Sequence, residues 1–408
     1  MTSRYRWVVL AVGAFGAATY AMLRMGLPSL GPALREQLDL SLAEVGVAFS
    51  VLALGGTITL IPWGVLTDRI GERPVMVVGM ALFAGALVAT AFAPGYVALL
   101  VALALAGGMG SASTGASGRA IMTWFPRSER GTALGIRQMA LPIGGAAGAV
   151  LLPRLVGLGG LEAAMLTLGG LAVAASLAAA LWMRDPPAGA SGPPTVVTAD
   201  APAPYSDPRQ WRLGAASGLL VVGQSAMLGF IVLFLHDARG LSPAAAAAGL
   251  AVIQILGAAA RLLAGRRSDM EGMRIPLLRR IAAVDAALLA ATAALAGAPG
   301  FVLYPILLAA GVTAMCWNGL AFTAAAEIAG RRRAGTAMGI QNSVVSVGST
   351  VAPAAFGALV QAAGWSVGYA AAAAGPLVAL ALLAPLQRDE ARRVRERARR
   401  LAAAGATA

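Results

Sequence analysis

Four arginines stand inside long apolar stretches of this sequence: Arg24, Arg119, Arg137 and Arg261. An ionised side chain at a helix centre in hydrocarbon costs at least about 2.5–3.5 kcal/mol, so each calls for an anion supplied by protein or ligand. Arg24, in Met22-Leu23-Arg24-Met25, has no carboxylate beside it and has Tyr20 one turn earlier on the same face. It has the best claim to grip an anionic ligand. Arg261, four residues before Gly265, is the second candidate, with snorkelling toward Arg266 and Arg267 as the competing role. Arg119 and Arg137 lie close to one end of their apolar runs and fit either a ligand contact or a gate. Gln224, Gln254, Trp317, Asn318, Gln341 and Asn342 fall in central apolar segments. Amides there orient a polar ligand and Trp317 supplies a flat wall, or they tie helices together.

Other chemistry is scarce. One His (His236) and one Cys (Cys316) leave no metal cluster, disulfide or nucleophile constellation, so no enzyme, metal or cofactor is expected. Asp285 sits near Arg279 and Arg280, which it would neutralise, and Glu327 precedes Arg331–Arg333 as a helix-end ion pair. Glu44 and His236 lie near segment boundaries and could titrate. None of these residues stands out as a proton carrier.

The elements that position these side chains follow from composition. Of 408 residues 58% are hydrophobic and 12% charged, half the charge that a water-covered surface needs. A membrane-spanning helix takes about 20 mostly apolar residues. Twelve segments qualify: 7–30, 43–66, 74–93, 97–122, 132–156, 162–183, 213–236, 243–265, 278–297, 301–326, 336–361 and 366–386. The fold class is therefore all-α and polytopic. Residues 1–183 form one six-helix bundle, 184–212 a Pro/Ala/Gly-rich cytoplasmic linker, 213–386 a second bundle and 387–408 a basic cytoplasmic tail. The first apolar run is too long for a signal-peptide core and reads as a retained helix.

Net charge is +13, all 31 basic residues being Arg. With the N-terminus inside, 24 arginines fall in inside segments and only Arg35, Arg154 and Arg239 outside. That bias puts both termini in the cytoplasm and explains the charge without nucleic acid. The arginine-rich tail is expected to lie on anionic lipid.

The halves repeat. Gly64–Pro74 (GVLTDRIGERP) is echoed by Gly265–Pro276, aligning Gly64 with Gly265, Asp68 with Asp269, Gly71 with Gly272 and Arg73 with Arg274. Gly131–Ile136 (GTALGI) is echoed by Gly335–Ile340 (GTAMGI). Internal duplication of this kind marks transporters, with substrate bound near the midplane at the repeat interface.

Gly64, Asp68, Arg69, Gly71 and Arg73 resemble the loop between helices 2 and 3 of the major facilitator superfamily; Glu72 departs from it, replacing a basic residue and weakening the expected contact between halves. The resemblance spans the chain. It implies the major facilitator fold, two pseudo-symmetric bundles that rock to give alternating access, with Asp68 and Asp269 among the gating residues. Arg24 is similar to helix-1 arginines of organophosphate and sugar-acid carriers, although Leu23 stands where some have an acid. Arg261 with Gly265 is similar to the Arg-x-x-x-Gly of monocarboxylate and oxalate porters; its repeat counterpart is Leu60. Arg119 resembles the helix-4 arginine of anion:cation symporters, and Arg137 has Gln341 as counterpart.

These residues point to a secondary transporter in the cell inner membrane moving a small, carboxylate-like organic anion, with a co-transported proton or an exchanged anion, as a monomer. Tyr20, Arg24, Arg119, Arg137, Gln254, Arg261, Trp317, Asn318 and Gln341 form the expected substrate set. The alternative is proton-coupled drug efflux. Pro142-Ile143-Gly144-Gly145 resembles the end of the antiporter motif, but Leu141 replaces a glycine, Ala104 stands where that family has arginine, and membrane carboxylates for cationic drugs are few.

Overall fold

The structure, a computed structural model, describes residues 2–125, 129–184, 204–330 and 333–405. Every element among them is helical. α1 (Thr2–Gly26) passes through a 3-10 turn, Leu27–Leu30, into a short helix, Gly31–Leu38. α2 is Leu42–Ile70 and α3 is Glu72–Ala91. α4 runs over Tyr96–Gly110 and, after a break at Ser111, over Ala112–Trp124. The helical stretch Arg130–Trp182 turns at Gly159 and Gly160, dividing α5 (130–158) from α6 (161–182). α7 is Pro208–Leu233, ending in a π turn, Phe234–Ala238. α8 is Pro243–Glu271, α9 Ile275–Ala294, and α10 runs over Gly300–Ala314 and Trp317–Ala329. Ala334–Gly405 breaks at Gly364 into α11 (334–363) and α12 (365–405).

Nine helical stretches among the described residues are long and apolar enough to cross a membrane. Two of them, broken at glycines, hold two passes each, and α9, more highly charged through Arg279, Arg280 and Asp285, completes the twelve. The expected segments match, with two differences at their edges. α7 starts at Pro208, inside the stretch expected to be linker; residues 185–203 of that stretch lie outside the described residues. The basic tail continues α12 without a break as far as Gly405, as its Ala, Arg and Glu content favours.

What faces outward fits lipid. Val97, Val101 and Leu105, spaced four apart on α4, are all exposed, and so are Leu177 and Leu181 on α6. In hydrocarbon such stripes cost nothing, and helices associate through close packing instead of apolar burial.

Two compact units divide the chain. One holds the first six helices together with Ser225–Leu256 and Ser349–Gly364; the other holds the rest of the second half. In the first unit α2 and α11 cross at reciprocal glycines. A Cβ on Gly46 would sit 2.4 Å from the Pro353 carbonyl oxygen, and one on Gly357 would sit 2.4 Å from that of Leu42. This approach lets Ala354 N–H donate to Ser50 Oγ (3.0 Å) and Ala43 N–H donate to Gln361 Oε1 (3.0 Å). Phe230 packs between Phe49 and Phe356, ring centroids 5.8 and 4.9 Å away. The core of the second unit gathers Leu220, Leu278, Trp317, Leu320 and Leu383.

Candidate functional site

The loop between α2 and α3 is built tightly because Gly71 takes φ 89°, a conformation that an L side chain strains to adopt. That turn sets Asp68 and Glu72 on either side of Arg119 from α4. The guanidinium lies 3.2 Å from the Asp68 carboxylate and 3.5 Å from that of Glu72, and also donates to the Thr67 carbonyl. Thr123 Oγ1 donates to Glu72 (3.2 Å), and Arg73 donates to the Ala180 carbonyl on α6 (2.7 Å). Glu72 is buried. Its carboxylate is the inner anchor of Arg119. Arg119 is thereby held by protein carboxylates and belongs to the loop network.

The second copy uses the same geometry with the polarity reversed. Arg274 pairs with Asp269 from its own loop and with Glu327 from α10 (3.2 Å), so here the loop brings the cation and the central helix the acid. Glu390 caps the start of α9, accepting from the Arg274 and Ile275 N–H groups at 2.8 and 3.0 Å. Glu327, expected to pair with the arginines that follow it, pairs with Arg274 among the described residues. Arg331 and Arg332 lie outside the described residues.

Arg137 is buried against α4. It donates to Ser117 Oγ (2.9 Å), the Thr114 carbonyl (2.6 Å) and Gln138 Oε1 (2.9 Å). Neutral dipoles thus satisfy its guanidinium, and it ties α5 to α4. Its counterpart Gln341 likewise donates to Ser217 Oγ, tying α11 to α7.

Arg24 differs from both. It is exposed, and among the described residues it makes no hydrogen bond or ion pair. Tyr20, one turn earlier, is buried; its hydroxyl donates to the Gly107 carbonyl (3.2 Å) and its ring meets Phe83 edge-on, so it fixes the face of α1 from which Arg24 projects. Gln254 of α8 donates to the carbonyl of Met25, the residue after Arg24 (3.1 Å), and leaves its Oε1 without a partner. It fits there because Gly145 of α5 has no side chain: a Cβ would lie 2.1 Å from Gln254 Oε1. In the first unit the structure therefore brings together Tyr20, Arg24 and Gln254, over the Gly144-Gly145 pair.

In the second unit Arg261 Nε donates to the Met315 carbonyl (3.0 Å), at the break that divides α10. A cation suits this position because the carbonyl end of a half-helix carries partial negative charge. The equivalent break in α4 is satisfied by neutral donors on α2: Thr59 and Trp63 reach the Gly108 carbonyl at 2.9 and 2.8 Å. Leu60, the counterpart of Arg261, lies between them in sequence. Neither break was foreseen from sequence; polar residues next to Gly-rich or Cys-containing apolar runs were the available signal. Asn318 Nδ2 donates to Gln224 Oε1 (3.2 Å). Trp317 is wholly buried in the core, so it presents no wall to a ligand, and its indole N–H lacks a partner among the described residues. Asp285 does not neutralise the neighbouring arginines, which corrects that expectation: Arg279 donates to Gln387, and Arg280 lies 3.9 Å from Glu271.

Comparison with known proteins agrees with this architecture. An uncharacterized MFS-type transporter of Mycobacterium tuberculosis (strain ATCC 25618 / H37Rv) is 34% identical over 394 residues, covering 95% of this chain and 88% of the relative. A hexuronate transporter of Bacillus subtilis (strain 168) is 33% identical over 143 residues, 34% of this chain and 33% of that one. Among solved structures, a bacterial homolog of the human lysosomal transporter Spinster superposes with a TM-score of 0.83 at 16% identity, covering 96% and 98% of the two chains. The sequence profile of the Major Facilitator Superfamily matches residues 13–353. Twelve helices, a duplicated Gly-Asp-Gly-Arg loop and this match together make the chain a membrane transporter, and it belongs to the Major Facilitator Superfamily.

Proposed function

We propose that the chain carries a small organic anion, of carboxylate type, across the inner membrane by alternating access, with both termini in the cytoplasm. One observation carries the reading. Of the four membrane arginines, two are spent on the protein (Arg119 on Asp68 and Glu72, Arg137 on Ser117 and Thr114), whereas among the described residues Arg24 has no protein anion and Arg261 has only a backbone carbonyl. A cation in a membrane protein that lacks an internal anion is suited to one that arrives with the substrate. The hexuronate carrier among the relatives moves a sugar acid, by its name, which fits that chemistry. In this reading Arg24 grips the anion, Gln254 orients it, Tyr20 and Gly145 hold that face in register, Arg261 is the cation of the second unit that an anion can neutralise, and the two Asp-Arg loops latch the cytoplasmic side.

The test is the thermal stability of the purified chain against a ligand panel, half small carboxylates and half lipophilic cations. A ligand at 100 times its Kd adds about 2.7 kcal/mol to the native state, enough to move the melt. A carboxylate should stabilise the wild type and fail on Arg24→Ala. Stabilisation by cations alone, with the arginine variants responding like wild type, would overturn the reading in favour of efflux.

A further inference from the structure

Asp285 lies in the middle of α9 and is only 1% exposed. Neither of its carboxyl oxygens has a hydrogen-bond partner among the described residues. The arginines earlier on its own helix are engaged elsewhere, Arg279 with Gln387 and Arg280 with Glu271. The facing helix α7 brings Gly223, which leaves the space the carboxyl occupies: a Cβ there would stand 3.3 Å from Asp285 Oδ2 and 3.3 Å from Pro376 of α12. At the break in α10 the Cys316 thiol lies within electrostatic range of both Asp285 and Arg261 of α8. Gly223 and Pro376, from α7 and α12, carry no charge.

An ionised carboxylate in this place would be shut off from the surface, with no donor and no cation in contact among the described residues. A buried group so placed gives up its charge by taking a proton. We propose that Asp285 is a proton-binding site, neutral in this conformation, and that its proton is the coupling ion. The step is the association of one proton with one carboxylate oxygen, with no other bond made or broken. Coupling rests on the carrier reading of Arg261. An anion seated on that guanidinium, which like Asp285 lies within electrostatic range of Cys316, brings negative charge toward the carboxyl and disfavours its ionised form, so anion and proton bind with positive linkage, as symport requires. The proton site itself does not rest on that reading.

Infrared difference spectroscopy of the full chain in lipid vesicles, stepped from about pH 6 to about pH 9, reads the group directly. The wild type should show the carbonyl stretch of a carboxylic acid free of hydrogen bonds, lost as carboxylate bands grow. That band should vanish in Asp285→Asn and survive in Glu327→Gln. Its absence at the acid end, or its persistence in Asp285→Asn, overturns the proposal. Should Asp285→Asn fail to fold, Gly223→Ala decides, because its methyl crowds the carboxyl and should raise proton affinity several-fold; an unchanged midpoint overturns it. For coupling, the apparent affinity for lactate, read from its stabilising effect, should weaken by up to about tenfold per pH unit above that midpoint in the wild type, and be independent of pH in Asp285→Asn. A pH-independent response in the wild type removes coupling through Asp285. A panel in which no carboxylate binds removes the carrier reading and leaves the infrared result to judge the proton site.

Discussion

Arg35 and Asp237, whose side chains form an ion pair, stand 202 residues apart, close to the repeat offset that relates Gly64 to Gly265. Each follows the first helix of its half. The π turn that ends α7 turns Asp237 toward Arg35, and it sets His236 Nε2 3.7 Å from Glu36, while Arg35 Nε also donates to the Leu40 carbonyl (3.2 Å). Nearly equivalent positions of the two repeats therefore carry opposite charges and close on each other within one compact unit. A duplicated sequence gains a clasp here by diverging in sign.

That clasp is partly exposed, 34% for Arg35 and 20% for Asp237, so its contribution is modest. A double-mutant cycle on thermal stability with Arg35→Ala and Asp237→Ala should return a coupling of about 0.5–1 kcal/mol. The same cycle with Arg69→Ala in place of Arg35→Ala should return nothing. Equal coupling in both cycles would show that the pair does not act as a clasp.

Glu72 provides a sharper test, because it is the position at which this chain leaves the family pattern. Restoring the usual basic residue should harm this protein. Glu72→Arg would set a second guanidinium against Arg119 in a buried corner that also holds Thr123. Glu72→Gln keeps the shape and loses the charge, and should cost about 1–3 kcal/mol. Glu72→Arg should cost more than that, and Glu72→Arg with Arg119→Glu should recover part of it. A neutral or stabilising Glu72→Arg in a thermal melt would contradict the geometry.

Much of this was legible in the sequence. The twelve passes came from apolar length and the duplicated loop from its Gly and Asp spacing, because each is a local property. The partners of charged residues were not legible. Asp285 lies near Arg279 and Arg280 in sequence, yet its carboxyl turns toward Gly223 on another helix. Glu327 precedes an arginine run and pairs with Arg274, 53 residues earlier. The breaks in α4 at Ser111 and in α10 at Met315 and Cys316 have no proline to announce them. They persist because donors on α2 and α8 satisfy the freed carbonyls, a fact of three-dimensional packing.

Gly145 tests how the first unit positions its candidate ligand face. An added methyl would meet Gln254 Oε1 at 2.1 Å, and Gln254 must withdraw from the Met25 carbonyl to make room. Gly145→Ala should destabilise by about 1–3 kcal/mol through overpacking. It should also weaken the carboxylate response, since the amide beside Arg24 is displaced. Gly157→Ala, on the same helix with open space around it, is the control and should leave the response unchanged. If Gly145→Ala alters stability and leaves ligand response at wild-type strength, Gln254 is a tie between helices and no part of the site.

Arg137 separates a structural tie from a substrate contact. Its three hydrogen bonds all end on α4 or on its neighbour Gln138, and the repeat places Gln341 at its equivalent. A glutamine can still reach one of those partners, so Arg137→Gln should fold and keep the carboxylate response of the wild type. Arg137→Leu removes both of its bonds to α4, although Ser117 Oγ still donates to the Ser113 carbonyl, and should cost about 1–3 kcal/mol. A folded Arg137→Gln that binds no carboxylate would return Arg137 to the substrate set beside Arg24. Measured beside Arg24→Ala in the same panel, the comparison decides which membrane cations the substrate itself must neutralise.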